Sequence, residues 1–370
     1  METIGSAQGG SLAGSLVRPD HAAAAPEPQA PPPITRHPIE FTATAGEYFR
    51  IWIVNLALTI ATLGIYSAWA KVRKKRYFYS HTRIADDHFE YRGNPVAILK
   101  GRLIAVAVVG ITYFASHFAP ALLIAVFAAA IFVLPWLIVR SLAFNAHNSA
   151  LRNVRFRFRG TYGKALAIVI GYGLLTIVTL GLGYFFFKVK ITEYIVRSHS
   201  YGATDFDTRP LKKDFFDVYG KMIGMGILVG LTVGALTVAF AMAGGGFEPG
   251  GPADIGVTLL SYVLYIGLYA YVQANILNAT WNNASLGPVT FQSTMKAWPL
   301  YRLYLTNILA IVATMGLATP WAVVRLMRYR AGHTAVIAVG DLGMFAAASG
   351  ANVGAGGEEV GEMLDIDFSL

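Results

Sequence analysis

VNLALTIATLGIYSAWAKVRKKRY, residues 54–77, is one sentence of sequence that this chain writes three times. Residues 171–194 read GYGLLTIVTLGLGYFFFKVKITEY, and residues 306–329 read TNILAIVATMGLATPWAVVRLMRY. Each copy is an apolar stretch broken at Thr-Leu-Gly or Thr-Met-Gly, followed by aromatic residues, a basic stop and a tyrosine. Self-similarity of this kind marks duplicated building blocks, and repeats inside membrane proteins are common among transporters.

Composition points the same way. Hydrophobic residues make up 55% of the 370 and charged residues 14%, too little polar surface to cover a soluble globule. The absence of cysteine excludes disulfides and thiolate metal sites. A net charge of +9 raises the question of nucleic acid, but the basic residues sit in loops between apolar spans rather than on one soluble domain. The positive-inside rule accounts for that placement, and nucleic acid is not an expected partner.

Residues 1–38 are rich in Ala, Pro, Gly and Ser and lack a basic segment followed by an apolar core, so they read as a disordered cytoplasmic tail. Residues 347–370 form a Gly-rich and then acidic tail, with Glu358, Glu359, Glu362, Asp365 and Asp367. Between them lies a membrane domain, 39–346.

Within that domain Leu103 to Val139 carries no charged residue, and at about 1.5 Å per residue it is too long for one crossing of a hydrocarbon core about 30 Å thick. It reads as a transmembrane hairpin, about 103–139, broken near Ser116, His117 and Pro120. A second hairpin, about 222–280, turns at GGGFEPGGPAD. With the repeat segments, about 47–77, 164–194 and 302–329, the total is seven apolar segments. None of the 30 Lys and Arg lies at either hairpin tip, so every basic loop belongs on the cytoplasmic side. Single crossings by the repeat segments would break that parity. Re-entry, with turns at Leu63-Gly64, Leu180-Gly181 and Met315-Gly316, would restore it, the repeat-break glycines Gly64, Gly181 and Gly316 permitting the tight turn. Seven ordinary spans with an imperfect charge bias remain the alternative.

Period-two alternation in IEFTAT (39–44), HFEYRG (88–93), VRFRFRG (154–160) and VTFQS (289–293) predicts short cytoplasmic strands. Hairpins are expected at Asp86-Asp87, within RSHSYGATDFD, and within AGHTAVIAVGDLGMF. The fold class expected is an α-helical polytopic membrane protein with three pseudo-repeats, two transmembrane hairpins and short cytoplasmic β-strands.

Several long motifs, TLGIYSAWAKVRKKRYFYSHTRI, PWLIVRSLAFNAHNSALRNVRFRFRGTYG and LNATWNNASLGPVTFQSTMKAW leading to LATPWAVVRLMRYRAGHT and Gly340-Asp341, strongly resemble the YjgN family of bacterial inner-membrane proteins. The resemblance covers roughly residues 37–346. It implies an integral, multi-pass inner-membrane protein without an established biochemical activity. The chain departs from the family at Ala68, where proline often precedes the tryptophan, and at Phe185-Phe186, which replace the Pro-Trp pair.

Chemistry-bearing motifs are few. The eight histidines show no metal-ligand spacing, although His81, His199 and His333 recur after each basic stop. No nucleophile elbow, phosphate loop or dinucleotide fingerprint occurs. The expectation is a protein that is not an enzyme and has no cofactor or metal. Tyr66, Trp69, Tyr77, Tyr79, Trp321 and Tyr329 beside the basic stops read as interfacial anchors. The richest polar constellation pairs Arg140 and Asn145 with Gln273 and Asn278 at equal spacing, followed by His147, Asn148, Asn282 and Asn283. Polar groups near membrane depth either tie helices together or line a wet path. Two functions follow: a transport or channel-like protein for a small polar solute or lipid, or a non-transporting scaffold. The scaffold would bind membrane lipids, including anionic headgroups, or a protein partner through its basic loops. The bacterial inner membrane is the expected location, with the N-terminus cytoplasmic.

Overall fold

Short strands and helical hairpins alternate along the whole chain. A computed structural model of the protein describes residues 33–354, except 244–247, 249 and 341. Most of both expected tails, with the five acidic residues named above, lies outside the described residues. Strand β1 begins at Ile34 and ends at Phe41, and the chain then runs through β2 (Thr82–Ile84), β3 (Asp87–Tyr91), β4 (Ser149–Leu151), β5 (Val154–Phe158), β6 (His199–Tyr201), β7 (Thr204–Thr208), β8 (Ala284–Leu286), β9 (Val289–Ser293) and β10 (Thr334–Val339). These strands close into an antiparallel ten-stranded barrel in which β1 pairs with both β2 and β10.

The closed barrel overturns the expected α-helical polytopic fold with short cytoplasmic β-strands. It also replaces three pseudo-repeats by five. Two strands flank each of five helical hairpins: α1 (Ala45–Ala61) with α2 (Ser67–Ser80); α3 (Pro95–Phe118) with α4 (Ala121–His147); α5 (Tyr162–Ala167), a π-helical turn (Ile168–Tyr172) and α6 (Gly173–Val178) with α7 (Tyr184–Arg197); α8 (Lys212–Met242) with α9 (Pro252–Asn283); and α10 (Ala297–Ala313) with α11 (Thr319–Gly332). The three sequence repeats are the first, third and fifth of these.

One backbone hydrogen bond recurs at the base of every hairpin. The amides of Thr42, Arg92, Arg159, Arg209 and Thr294 donate to the carbonyls of His81, Asn148, Ser198, Asn283 and His333, at 2.9, 2.8, 2.7, 3.0 and 2.9 Å. Each hairpin therefore leaves and rejoins the barrel at adjacent points. Because the strands are antiparallel, all five rise from one rim and the strand turns occupy the other. Each repeat segment is thus a helical hairpin that returns to the rim it left rather than a single rod.

Length separates the two kinds of hairpin. The four apolar helices α3, α4, α8 and α9 are long enough to cross a membrane. The helices α1 and α2, with 17 and 14 residues, extend about 26 and 21 Å and fall short of a core of about 30 Å. Their break satisfies its own backbone. Thr62, Thr179 and Thr314 each donate a hydroxyl hydrogen bond to the carbonyl four residues earlier, at 2.6–2.7 Å, and accept the amide of Tyr66, Gly183 and Ala318. The amides of Gly64, Gly181 and Gly316 reach the carbonyls of Thr59, Thr176 and Ile311, each at 2.7 Å. Five residues thus end one helix and start the next with few polar groups exposed, which hydrocarbon demands. At each apex Leu63, Leu180 or Met315 is 96% exposed.

The closing tyrosine of each repeat seals the other end. Tyr194 and Tyr329 donate to the carbonyls of Thr161 and Lys296, the residues preceding the first helix, at 3.1 and 3.0 Å, and the Tyr77 hydroxyl accepts the amide of Thr44, the equivalent residue, at 3.2 Å. Tyr77 and Tyr329 are thus fasteners of the hairpin base, a more specific role than the interfacial anchoring expected.

Inside the barrel one apolar pair recurs five times in the same register: Ile39 with Ile84, Phe89 with Leu151, Phe156 with Tyr201, Phe206 with Leu286 and Phe291 with Val336. The turns on the far rim are Ala85–Asp86, Arg152–Asn153, Gly202–Ala203 and Gly287–Pro288, so the first lies one residue before the position expected at Asp86-Asp87. No hairpin forms in AGHTAVIAVGDLGMF. There β10 leads into α12 (Leu342–Gly354), whose Leu342, Phe345 and Ala346 pack into the apolar cluster of Leu286, Val289 and Ala338. The Ala203 amide donates to the Ser349 carbonyl at 3.1 Å, holding α12 across the far mouth.

Candidate functional site at the barrel mouth

Neighbouring hairpins pack in a closed cycle, α2 on α3, α4 on α5, α7 on α8, α9 on α10 and α11 on α1. Among the apolar helices α9 packs closely on α8 and α10, whereas α3 and α4 touch far less. In α3 the residues Leu103, Ile104, Val106, Val108, Val109 and Ile111 are all exposed, and they point around the whole helix. Apolar side chains therefore stand bare on the inner side of the ring as well as the outer.

Beneath that space the helix-side half of the barrel holds a cavity of about 360 Å³. Phe89 and Phe156, stacked at 6.3 Å, belong to its apolar lining, and Tyr79, Thr82, Asn145, Ser149 and His199 supply polar atoms. Alternation along β3 and β5 turns Phe89 and Phe156 inward, while the last turns of α2 and α4 bring Tyr79 and Asn145 over the lip. The Ser149 hydroxyl lies between the Tyr79 phenol at 3.1 Å and the Asn145 carbonyl at 2.7 Å. The Asn145 side chain donates to the Ser141 carbonyl at 2.7 Å and accepts from the Lys75 ammonium. That ammonium sits 4.7 Å from the centre of the Tyr91 ring. His199 places Nδ1 2.7 Å from the Ile195 carbonyl, which leaves Nε2 as an acceptor. Burial lowers its pKa below the ordinary imidazole value and keeps the ring neutral at pH 7.

The amide constellation is not one vestibule. Asn145 lies at the end of α4 and Asn278 near the end of α9, and β5, β6 and β7 separate the strands that follow those helices. Asn278 accepts from the Ser293 hydroxyl at 2.7 Å and the Met295 amide at 2.9 Å, and donates to the Met295 carbonyl at 2.8 Å. Asn282 brackets Ser293 through its amide and carbonyl, and Asn283 donates to Asp214 at 2.6 Å. These three pin α9 to β9 and α8. Asn148 ends α4 and donates to the Phe144 carbonyl at 2.8 Å. His147 meets Arg155 at 3.4 Å on the exposed rim, and Arg140 lies over the Trp136 ring at 5.6 Å. Gln273 is half-buried on α9. Gly64, Gly181 and Gly316 occupy the hairpin turns with φ of +92°, +97° and +94°.

Of the eight residues expected to form a vestibule, only Asn145 lines the cavity. Sequence reasoning passed over Tyr79, Thr82, Phe89, Ser149, Phe156 and His199 as a group. The signal available was the repeated inward position of the strands. Nor do the recurring histidines converge as ligands: His81, His199 and His333 each bond the carbonyl four residues before, at 2.7, 2.7 and 2.8 Å.

A closed barrel crowned by five helical hairpins, two of them long enough to span a bilayer, defines a polytopic membrane protein with a mixed α and β core. The chain belongs to the family of bacterial proteins of unknown function designated DUF898, whose model matches residues 36–363. It is similar to the inner membrane protein YjgN of Salmonella typhimurium strain LT2, 25% identical over 361 residues that cover 83% of this chain and 89% of the relative. A 58-residue stretch is 41% identical to the inner membrane protein YjgN of Escherichia coli K12, covering 16% of this chain and 15% of that one. No solved structure matches significantly.

Proposed function

We propose that the protein is transport-like and that it admits a membrane lipid to the barrel mouth. The observation that carries this reading is the cavity itself, an aromatic pocket with a polar edge that lies beneath an apolar ring. A lipid chain loses nothing on entering such a ring, whereas a small polar solute would leave its hydration behind without replacement. The filled far mouth favours lateral exchange with the bilayer over a straight path through the barrel. Binding without covalent chemistry suits the residues at the mouth, so the protein is read as a non-enzyme.

The positive-inside rule places the barrel rim, with its basic loops, in the cytoplasm and the N-terminus with it. The relatives' location suggests the bacterial inner membrane. A scaffold reading rests on Arg36, Arg83 and Arg155, exposed on the barrel exterior, which offer a basic surface to a protein partner or to lipid headgroups.

Photocrosslinking with a phospholipid carrying a diazirine in its tail tests the first reading, using the full chain in nanodiscs. Crosslinks should fall on the peptides holding Tyr79, Phe89 and Phe156, and Phe156→Trp, which fills the pocket, should reduce them several-fold. Solute flux abolished by Asn145→Leu, without such crosslinks, would establish the polar-solute alternative. Absence of both, with a protein that co-purifies only while Arg83 and Arg155 are intact, would establish the scaffold.

A further inference from the structure

The fifth hairpin contains a second concave site, and its chemistry differs from that of the barrel mouth. A groove of about 440 Å³ runs between α10 and α11, lined by Arg302, Thr306, Arg325, Arg328, Tyr329 and His333 among others. The spacing is legible: Arg302 and Thr306 are four apart on one helix, and Arg325, Arg328 and Tyr329 share a face of the next. No Asp or Glu occurs anywhere in residues 297–332.

Two of the three guanidiniums are held in place. Arg325 donates to the Thr306 hydroxyl at 2.6 Å and the Asn307 amide oxygen at 3.3 Å, and lies 5.0 Å over the Trp321 ring. Arg328 donates to the Ala43 carbonyl at 2.8 Å, which fixes it where the fifth hairpin meets the first. Arg302 is exposed, and no hydrogen bond or ion pair involves its guanidinium among the described residues. Hydrogen bonds to neutral oxygens orient a cation without cancelling its charge.

Comparison with the other two short hairpins isolates the feature. The first hairpin carries Arg50, Arg73 and Arg76 at the matching positions, but Glu47 stands where the fifth has Pro299. That carboxylate accepts the Tyr77 hydroxyl at 2.9 Å and approaches His81 at 4.0 Å. The third hairpin has Ala167, Lys190 and Glu193 there, and its lysine and glutamate pair at 3.0 Å. The fifth alone gathers three arginines without a carboxylate.

We infer that this groove binds phosphate. Planar guanidiniums recognise phosphate oxygens in pairs, and Thr306, by accepting from Arg325, holds one of them toward the groove. The groove lies toward the hairpin base, beside the barrel rim, and so at headgroup level when the Met315 apex is immersed. A phospholipid headgroup and free phosphate share the chemistry. The inference is independent of the barrel-mouth reading, since it concerns other residues on another hairpin and uses another readout.

The test uses the full chain in phosphatidylcholine nanodiscs, titrated separately with dioctanoyl phosphatidylglycerol and with inorganic phosphate. Saturable binding of at least one probe is expected, weakened about tenfold or more by Arg302→Gln, as for loss of a charged hydrogen bond. The Arg302 guanidinium makes no hydrogen bond that holds the fold, so that variant should melt with the wild type, and Lys213→Gln, at an exposed position on the fourth hairpin, should bind normally. Binding of the lipid alone identifies a headgroup site, and comparable binding of inorganic phosphate identifies a free-anion site. Failure of both probes, or binding unchanged in both Arg302→Gln and Arg328→Gln, overturns the inference.

Discussion

His199 shows how a single side chain can report on the barrel mouth. Its ring is neutral because burial opposes the charged form, so the folded protein takes up a proton there at lower pH than the unfolded chain does. As pH falls below about 6.5 the unfolded state binds more protons, and stability declines until the lowered pKa is passed. Above that pH the contribution is complete. Melting temperature measured between pH 7.5 and 5.5 should therefore fall more steeply in the wild type than in His199→Gln. Equal slopes would mean that the ring is as well solvated folded as unfolded. At this scale the sequence was partly legible. The recurrence of His81, His199 and His333 was visible, and their local bonding was one of the two readings open to it. The recurrence of Ile39, Phe89, Phe156, Phe206 and Phe291 was not, because an inward side chain acquires its meaning only when strands from five separate loops are laid side by side.

A five-residue break decides the architecture of each short hairpin. Leu63, Leu180 and Met315 take φ near +50°, and the following glycine goes further, beyond +90°. No atom lies within 4 Å of where a Cβ would stand on Gly64, Gly181 or Gly316, so substitution by alanine costs backbone strain alone. Each single Gly→Ala change should destabilise by about 1–2 kcal/mol. Gly181, on a hairpin adjacent to neither of the other two, should add to either of them in thermal melts of the detergent-solubilised protein. A silent substitution would show that the turn can be closed another way. This element was the most readable part of the chain, since the Thr-Leu-Gly interruption of an apolar run has few structural solutions. Strands β4 and β8 were the least readable. Ser-Ala-Leu and Ala-Ser-Leu are three-residue segments with no alternation to detect, and only their two-residue turns and cross-strand partners make them strands.

Across the whole molecule the barrel acts as the joint from which every helix departs. Closure removes the edges that short strands would otherwise expose, and α12 covers the far mouth. Gly202 is where that cover is most vulnerable. Its φ is +56°, and a Cβ there would come within 2.2 Å of the Ser349 carbonyl oxygen. Gly202→Ala should displace α12 and leave the five hairpins in place. Limited proteolysis should then cleave near residues 342–354 first, while circular dichroism changes little. Protection equal to the wild type would show that α12 is held by its apolar contacts alone. Closure was beyond the reach of sequence because it is a property of the cycle: β1 must meet β10 across almost the entire chain, and nothing local to either strand encodes that meeting.

The short hairpins have one more effect, which concerns the bilayer. All five hairpins rise from one rim of the barrel, whereas among the described residues α3, α4, α8 and α9 alone are long enough to cross a bilayer. In a membrane that met this rim, ten helical arms would displace lipid from the near leaflet and four from the far one. Such a cross-section would be widest at the barrel, and a wedge of that shape relaxes the stress of a curved membrane when its wide end faces the convex surface.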